Sequence, residues 1–469
     1  MDALIKEMEA ICGKENVQYS NAAKLAYSYD ATANFQHLPD VIVSPRNTEE
    51  VAEVVKVCAK YKTPIIPRGS GTNLAAGTTP TSGGVVVLFK HMNKIIELDE
   101  ENLTITVQPG VITKTIIDYV EENHLFYPPD PSSLKISTIG GNISENSGGL
   151  RGLKYGVTKD YVLGLEAVLP NGEIIRTGGK LAKDVAGYDL TSLLVGSEGT
   201  LAIVTEATLK LIPKPPYKET ILAMFKTLEQ AAQTVSAILA AKIIPTTLEF
   251  MDQGTLQVIE DYKQIGLPTD CEAVLLIEQD GVEEAVKRDM DVIYQVCQDF
   301  SAINVQKAET EEEAEDLRSG RRDALSALAR LRPTTILEDA TVPRSAIAPM
   351  VREITRIAEK YDVTIRTFGH AGDGNLHPTC LTDLRDKEEM ERVEQALAEI
   401  FDAAIQLGGT ITGEHGVGEM KAPYLEWKLG KAGIGLMKSI KQSIDPDNIM
   451  NPGKMFAKST KERLVMSNV

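Results

Sequence analysis

Ser137-Thr138-Ile139-Gly140-Gly141-Asn142-Ile143-Ser144-Glu145-Asn146-Ser147-Gly148-Gly149 packs four glycines and many small hydroxyl or amide residues into thirteen positions. Such a stretch offers little to a hydrophobic core. Its exposed backbone N–H groups and short side-chain donors suit a diphosphate and a ribityl chain instead. Before it, Tyr127-Pro128-Pro129-Asp130-Pro131-Ser132-Ser133 reads as a stiff extended segment, because each proline fixes its own φ and biases the residue ahead of it. After it come Tyr155-Gly156-Val157-Thr158 and Gly196-Ser197-Glu198-Gly199-Thr200-Leu201, framed by strands expected at 162–169 and 201–211.

Residues 41–110 alternate strand and helix patterns. Val41-Ile42-Val43 is a short apolar run, and 47–60 carries Val51, Val54, Val55 and Cys58 at helical spacing behind an acidic first turn. Arg68-Gly69-Ser70-Gly71-Thr72-Asn73-Leu74-Ala75-Ala76-Gly77 fails as a dinucleotide fingerprint. The third glycine is replaced by Leu74, and turn formers running into the strand expected at 85–89 take the place of a helix. The alternative is a nest of inward-pointing N–H groups around a phosphate, with Arg68 as counter-charge.

A chain of 469 residues exceeds a single core, so two or three domains are expected. The opening residues read as an amphipathic helix, not a signal segment, and nothing approaches a membrane span, so a cytoplasmic location is expected. Five scattered cysteines without Cys-x-x-Cys spacing argue against disulfides, iron–sulfur clusters and zinc fingers. A net charge of −18 disfavours nucleic acid as a partner and requires local positive charge wherever an anionic substrate binds.

The second informative stretch is Gly369-His370-Ala371-Gly372-Asp373-Gly374-Asn375-Leu376-His377, followed after one expected helix (386–407) by Gly413-Glu414-His415-Gly416. Two imidazoles and a carboxylate form a borderline ligand set suited to Zn, Mn or Fe(II), and three protein ligands leave room for substrate. His370, His377 and Glu414 are the expected ligands, with His415 left as general base. Asp373 is a further carboxylate available to orient a ligand imidazole, and Asn375 a substrate donor.

Taken together, Arg68–Gly77, Pro128–Ser133, Ser137–Gly149 and Gly196–Leu201 resemble the FAD-binding domain of the vanillyl-alcohol-oxidase or p-cresol-methylhydroxylase (PCMH) type. The His370 and Glu414 motifs narrow the likeness to FAD-linked D-2-hydroxy-acid dehydrogenases, among them glycolate oxidases and D-lactate dehydrogenases. The resemblance implies an α+β chain: an N-terminal helical segment (1–40), a two-subdomain FAD-binding domain (41–215), an α+β cap containing a ferredoxin-like element (216–420), and a C-terminal segment (421–469) returning to the flavin. It implies FAD contacts from Arg68, Gly69, Ser70, Gly71, Thr72, Asn73, Gly77, Pro131, Ser132, Ser137, Gly140, Gly141, Asn142, Ser144, Asn146, Ser147, Gly148, Gly149, Tyr155, Gly156, Glu198, Gly199, Ile203 and Asn451. No histidine lies within 67–77, so FAD is expected to be non-covalent.

The resemblance further implies FAD-dependent oxidation of a small D-2-hydroxy acid, glycolate to glyoxylate or D-lactate to pyruvate, with a divalent metal beside the flavin. Leu317-Arg318-Ser319-Gly320-Arg321-Arg322 resembles the segment that supplies an arginine for the substrate carboxylate. It matches at Arg321, but Arg318 and Arg322 replace the family's usual aromatic residue and lysine, which leaves Arg321 and Arg322 both open. A D-2-hydroxyglutarate-type dehydrogenase, a non-redox flavoenzyme and a scaffold subunit are rival readings on the same fold. The expected partners are a second flavin-domain subunit and an iron–sulfur subunit, which would bring the chain to the inner membrane face without an integral segment of its own.

Overall fold

A computed structural model describes residues 1–456; residues 457–469 of the expected C-terminal segment lie outside the described residues. The chain divides into two compact units. One comprises residues 1–147, 157–214 and the described residues from 414 onward, and the other residues 148–156 and 215–413.

The first unit carries two larger sheets besides the two-stranded pair Leu125–Phe126 and Ile212–Pro213. In the smaller, Val41–Val43, Val85–Leu88 and Ile65–Arg68 run parallel, with Val17–Gln18 antiparallel at the edge. Val41–Val43 and Val85–Leu88 are buried throughout, as expected for parallel strands covered on both faces. The helix Thr48–Tyr61 is capped by Asn47, whose Oδ1 accepts the Glu50 N–H at 2.9 Å. Its apolar stripe packs with Leu4, Met8 and Cys12 of the helix Asp2–Cys12. A loop, not a helix, follows Arg68. The second sheet is antiparallel, in the order Ile95–Asp99, Thr104–Val107, Ile203–Lys210, Val162–Val168, Ile174–Gly178.

The glycine-rich stretch behaves differently from its sequence reading at one point. Ile139–Glu145 forms a short helix, capped by Thr138 Oγ1, which accepts the Gly141 N–H at 3.3 Å. Ile139 and Ile143 are four residues apart and fully buried, so these two side chains give the segment a core after all.

The second unit is organised on one large antiparallel sheet, ordered Asn304–Lys307, Tyr217–Phe225, Ala273–Gly281, Thr247–Asp252, Ile365–His370, Asn375–Thr382, Thr334–Leu337, with Ala340–Thr341 also paired to Asn375–Thr382. Helices Leu228–Ala240 and Glu283–Asp299 pack on its strands, and Ile347–Tyr361 buries Ile347, Met350, Val351, Ile354 and Ile357. The helix Glu311–Arg322 opens on Glu311, Glu312 and Glu313, which are exposed beside the positive end of the helix dipole. The helix expected at 386–407 is Lys387–Gln406, with Asp386 Oδ1 accepting the Glu389 N–H at 3.0 Å. All five cysteines are free and buried.

One buried lysine fixes the C-terminal return of the first unit. Lys441 Nζ donates to Thr200 O at 2.7 Å and Met450 O at 2.8 Å and pairs with Asp445. Asp445 in turn accepts the N–H groups of Ile449 and Met450, and Met450 bridges to Ile65. Replacing Lys441 by methionine keeps the apolar stem but strips three partners of their donor. The expected loss is about 2–4 kcal/mol of stability, read as a lowered Tm; a Tm equal to the parent's would contradict this anchoring role.

Candidate functional site

Within the second unit, the hairpin Ile365–His370 and Asn375–Thr382 sets both histidines. His370 pairs with Asn375 and Phe368 with His377, so the two imidazoles are diagonal neighbours on one face. Their ring centroids lie 5.1 Å apart with planes at 87°, and both side chains are buried.

Glu249, in the strand Thr247–Asp252, stands beside them. Phe250 pairs with Gly369 and Met251 with Phe368, so the same register carries Glu249 alongside His370. Glu249 Oε1 lies 2.7 Å from His370 Nδ1, and Oε2 lies 2.7 Å from Arg321 Nη2. An Nδ1–H engaged this way leaves Nε2 with the lone pair a ligand atom needs. The Arg321 guanidinium stacks 4.7 Å above the Phe368 ring, while its Nε and Nη2 make no well-aligned hydrogen bond. Burial pushes the Glu249 carboxyl upward, but His370, Arg321 and His377 outweigh it and hold the group below its ordinary range.

Asn375 is buried, and its Oδ1 accepts from Thr341 Oγ1 at 3.0 Å. Asp373 Oδ1 accepts the Asn375 N–H at 3.2 Å and so shapes the turn, whereas the carboxylate on His370 Nδ1 is that of Glu249. The fully buried Asp339 accepts the Gly413 N–H at 2.7 Å and the Thr412 hydroxyl at 3.1 Å, fixing the backbone that leads into Glu414. His370 and His377 thus stand together as two buried imidazoles on one face of the hairpin. His415 Nε2 is 3.8 Å from Glu414 Oε1. Arg321 is bound to the Glu249–His370 pair, whereas Arg322 Nη1 faces Glu315 at 3.4 Å and Arg318 is buried among Glu278, Glu311 and Glu315.

The first unit holds a narrow cleft. Arg68, Gly69, Gly77, Gly140, Gly141, Ser144, Glu198, Gly199 and Ile203 line it, together with Glu145, which the sequence reading leaves out of its contacts. Five glycines in the wall present backbone to the space, with one guanidinium, a lining suited to a diphosphate. Arg68 is buried, stacks on Tyr27 at 5.7 Å and donates to Thr78 Oγ1 at 3.2 Å.

Other expected cofactor residues carry structural bonds. Ser70 Oγ donates to Ile136 O at 2.5 Å, Asn142 Nδ2 to Thr113 Oγ1 at 2.6 Å, and Asn451 Nδ2 to Gly77 O and Glu198 O at 2.9 and 2.7 Å. The carbonyls of Gly71, Ser137 and Ser147 accept backbone N–H groups from Ala31, Thr113 and Thr158, and Thr32 Oγ1 donates to Asn73 O. Asn146 closes its helix in the left-handed region, Pro131 accepts the Leu134 N–H, Ser132 is exposed and Thr72 half-buried. Gly148, Gly149, Tyr155 and Gly156 fall in the second unit, where the Tyr155 hydroxyl donates to Asp280 Oδ1 at 2.8 Å.

Glu198 bridges two backbone N–H groups, Val417 at 2.6 Å and Gly418 at 2.7 Å. Gly418 has φ +52, and a Cβ there would collide with Ala75 O. The segment after His415 is therefore pinned by a carboxylate from the cleft wall.

Residues 39–178 match the family model described as FAD binding domain, and residues 214–455 the model described as FAD linked oxidases, C-terminal domain. The chain is 68% identical over 460 residues to the glycolate oxidase subunit GlcD of Bacillus subtilis (strain 168), covering 98% of each. It is 37% identical over 431 residues to the D-lactate dehydrogenase of Anaerostipes hadrus, covering 90% of each. Among solved structures, substrate-bound p-cresol methylhydroxylase superimposes with a TM-score of 0.82 at 20% identity over 98% of each chain, a likeness of fold.

The Glu249 ion pair carries a measurable load. Arg321→Met leaves a buried carboxylate with one partner fewer and is expected to cost about 2–4 kcal/mol. Arg385→Met, which removes a solvent-exposed pair with Asp383, is expected to cost less than about 1 kcal/mol. Equal shifts in Tm for the two variants would refute the assignment.

Proposed function

The chain belongs to the FAD-linked oxidase family, and from that premise we propose that it oxidises a small D-2-hydroxy acid, glycolate or D-lactate, at a metal-assisted site. The carrying observation is the buried Glu249 carboxylate shared between Arg321 and His370, whose imidazole neighbours that of His377.

The backbone at Gly69, Gly140, Gly141 and Gly199, with Arg68 as counter-charge, would hold FAD, which when bound would supply an acceptor for the hydride lost from the substrate α-carbon. His370, His377 and Glu414 would hold a divalent metal, which supplies Lewis-acid polarisation of the substrate hydroxyl. Glu249 keeps the His370 proton on Nδ1 and so reserves Nε2 for ligation. His415 accepts the hydroxyl proton, a role imidazole fills near neutral pH. Arg321 orients the substrate carboxylate: its Nε and Nη2 donors are not committed to well-aligned bonds, and stacking on Phe368 fixes the guanidinium plane. Asn375, held by Thr341, is a further substrate donor.

The names of the relatives support glycolate or D-lactate as substrate, and the word subunit in one of them supports an assembly that reoxidises the flavin. We take the partners to be a second flavin-domain subunit and an iron–sulfur subunit, placing the chain in the cytoplasm at the inner membrane face. Among the described residues no helix is long and apolar enough to cross a membrane.

A purified sample is expected to be yellow and to lose its flavin absorbance anaerobically when titrated with the right acid from a panel of D-2-hydroxy acids. A flavin-loaded chain bleached by none of them would overturn the reading. For the metal, His377→Ala is expected to abolish metal retention and Glu249→Gln to weaken metal affinity about 10–100-fold. Elemental analysis after dialysis checks both, and metal content unchanged in His377→Ala would remove the metal from the scheme.

A further inference from the structure

The large sheet of the second unit opens between two of its strands. Thr247–Asp252 and Ile365–His370 are joined by only two pairs, Phe250 with Gly369 and Met251 with Phe368. At Asp252 the first strand turns into the helix Gln253–Lys263, which the Asp252 carboxylate caps through the Thr255 N–H at 2.7 Å. The other carboxylate oxygen accepts the Thr367 N–H at 2.6 Å. Beyond that bond Ile365 has no strand beside it on this side.

Backbone directions along a strand alternate. Thr367 turns its N–H to Asp252, away from the strand Asn375–Thr382, whereas the Thr364 carbonyl turns toward that strand and accepts the Leu381 N–H at 3.0 Å. Ile365 therefore directs its N–H and C=O to the side where Thr247–Asp252 has ended, and neither group has a partner among the described residues. Ile365 is only 8% exposed, and the polar backbone of a buried residue calls for a complement. A cavity of about 400 Å³ adjoins it, lined by Asp252, Ile365 and Thr367 and on the scale of ligand sites. Its floor is apolar, made by buried Phe250, Val351 and Ile354. Its rim is acidic: Glu359 and Asp362 are exposed beside the carbonyl end of the helix Ile347–Tyr361, whose dipole adds to their charge. Arg366 also lines the cavity, but strand alternation sends its side chain to the opposite face, where a Cβ on Gly254 would stand 2.2 Å from its Nε.

We propose that this cavity binds an extended peptide segment of a partner chain, which adds one strand pair at Ile365. An apolar residue of the peptide donates its N–H to the Ile365 carbonyl and accepts the Ile365 N–H. Directly opposite residues of an antiparallel pair share a face, so the pairing itself seats the apolar side chain on the floor of Phe250, Val351 and Ile354. Peptide residues two positions away return to the same face, and lysine or arginine there meets Glu359 and Asp362. The site lies wholly within the second unit and stands whether or not the chain oxidises a hydroxy acid.

The test titrates the full chain with the synthetic peptide acetyl-Lys-Ala-Leu-Ala-Lys-amide and reads Kd by ligand-observed NMR. Saturable binding is expected with Kd on the order of 0.1–1 mM, and methylating the leucine nitrogen, which removes the pairing N–H, is expected to weaken it about five- to tenfold. Exchanging both peptide lysines for glutamates is expected to weaken binding about fivefold, and Glu359→Lys, an exposed change, to shrink that difference to within about twofold. Ile354→Trp, which fills the floor, is expected to abolish binding; the peptide series and Glu359→Lys decide the matter even where that variant fails to fold. Equal binding of the N-methylated peptide would mean that no strand pairing occurs, and equal binding of the glutamate peptide that the acidic rim plays no part. Binding unchanged in a folded Ile354→Trp would place the peptide elsewhere, and no saturation by about 10 mM would mean a cavity that holds water only. Each of these four results overturns the proposal.

Discussion

A carboxylate buried in a sheet must find its partners within the protein, and Glu249 imposes that condition on the whole second unit. It stands between Leu248 and Phe250 in the strand Thr247–Asp252, and it is fully buried. Two different elements answer it: the strand Ile365–His370 with an imidazole, and the helix Glu311–Arg322 with a guanidinium. Removing either partner leaves a desolvated charge, so the placement of both elements is tied to this one side chain. The same contacts fix the His370 tautomer and the Arg321 plane. Structural necessity and chemical competence therefore share one set of bonds.

The first unit applies the rule again at Glu198. This residue adopts φ +52, an uncommon backbone for a side chain with a Cβ, and its carboxylate spans consecutive N–H groups at Val417 and Gly418. Asn451 donates to its carbonyl, and Lys441 holds the segment that carries Asn451. Each polar group brought into the interior arrives with its complement, and the chain of complements runs from the helix Leu425–Ile444 to the loop that bears His415.

How far the sequence discloses this depends on the range over which each feature is encoded. Helices announced by local signals, such as Asn47 or Asp386 at the cap and apolar residues at three- and four-residue spacing, lie where the pattern puts them. The hairpin histidines were equally legible, because glycine-rich turns between strands constrain both arms. The glycine-rich stretch 137–149 misleads in part: its composition offers little to a core, yet two isoleucines and a threonine cap suffice for a short helix with a buried side. Glu249 was illegible. A glutamate between Leu248 and Phe250 carries no local signal, and its meaning appears only when the register with 365–370 is known. Arg321 and Arg322 are likewise indistinguishable by spacing, since adjacent helical residues differ by a rotation that only the distant partner makes significant.

The charge of the chain sharpens the choice between those arginines. At −18 the molecule repels a small anionic acid at long range, so recognition has to be local. An exposed arginine would be screened by water and embedded in that negative field. Arg321 instead is buried with a single carboxylate partner, Glu249, and its Nε makes no well-aligned hydrogen bond. Arg318 shows the contrast within one helix: equally buried, it is surrounded by Glu278, Glu311 and Glu315 and has no charge to spare. One carboxylate at Arg321 against three at Arg318, not burial, is what separates the two guanidiniums.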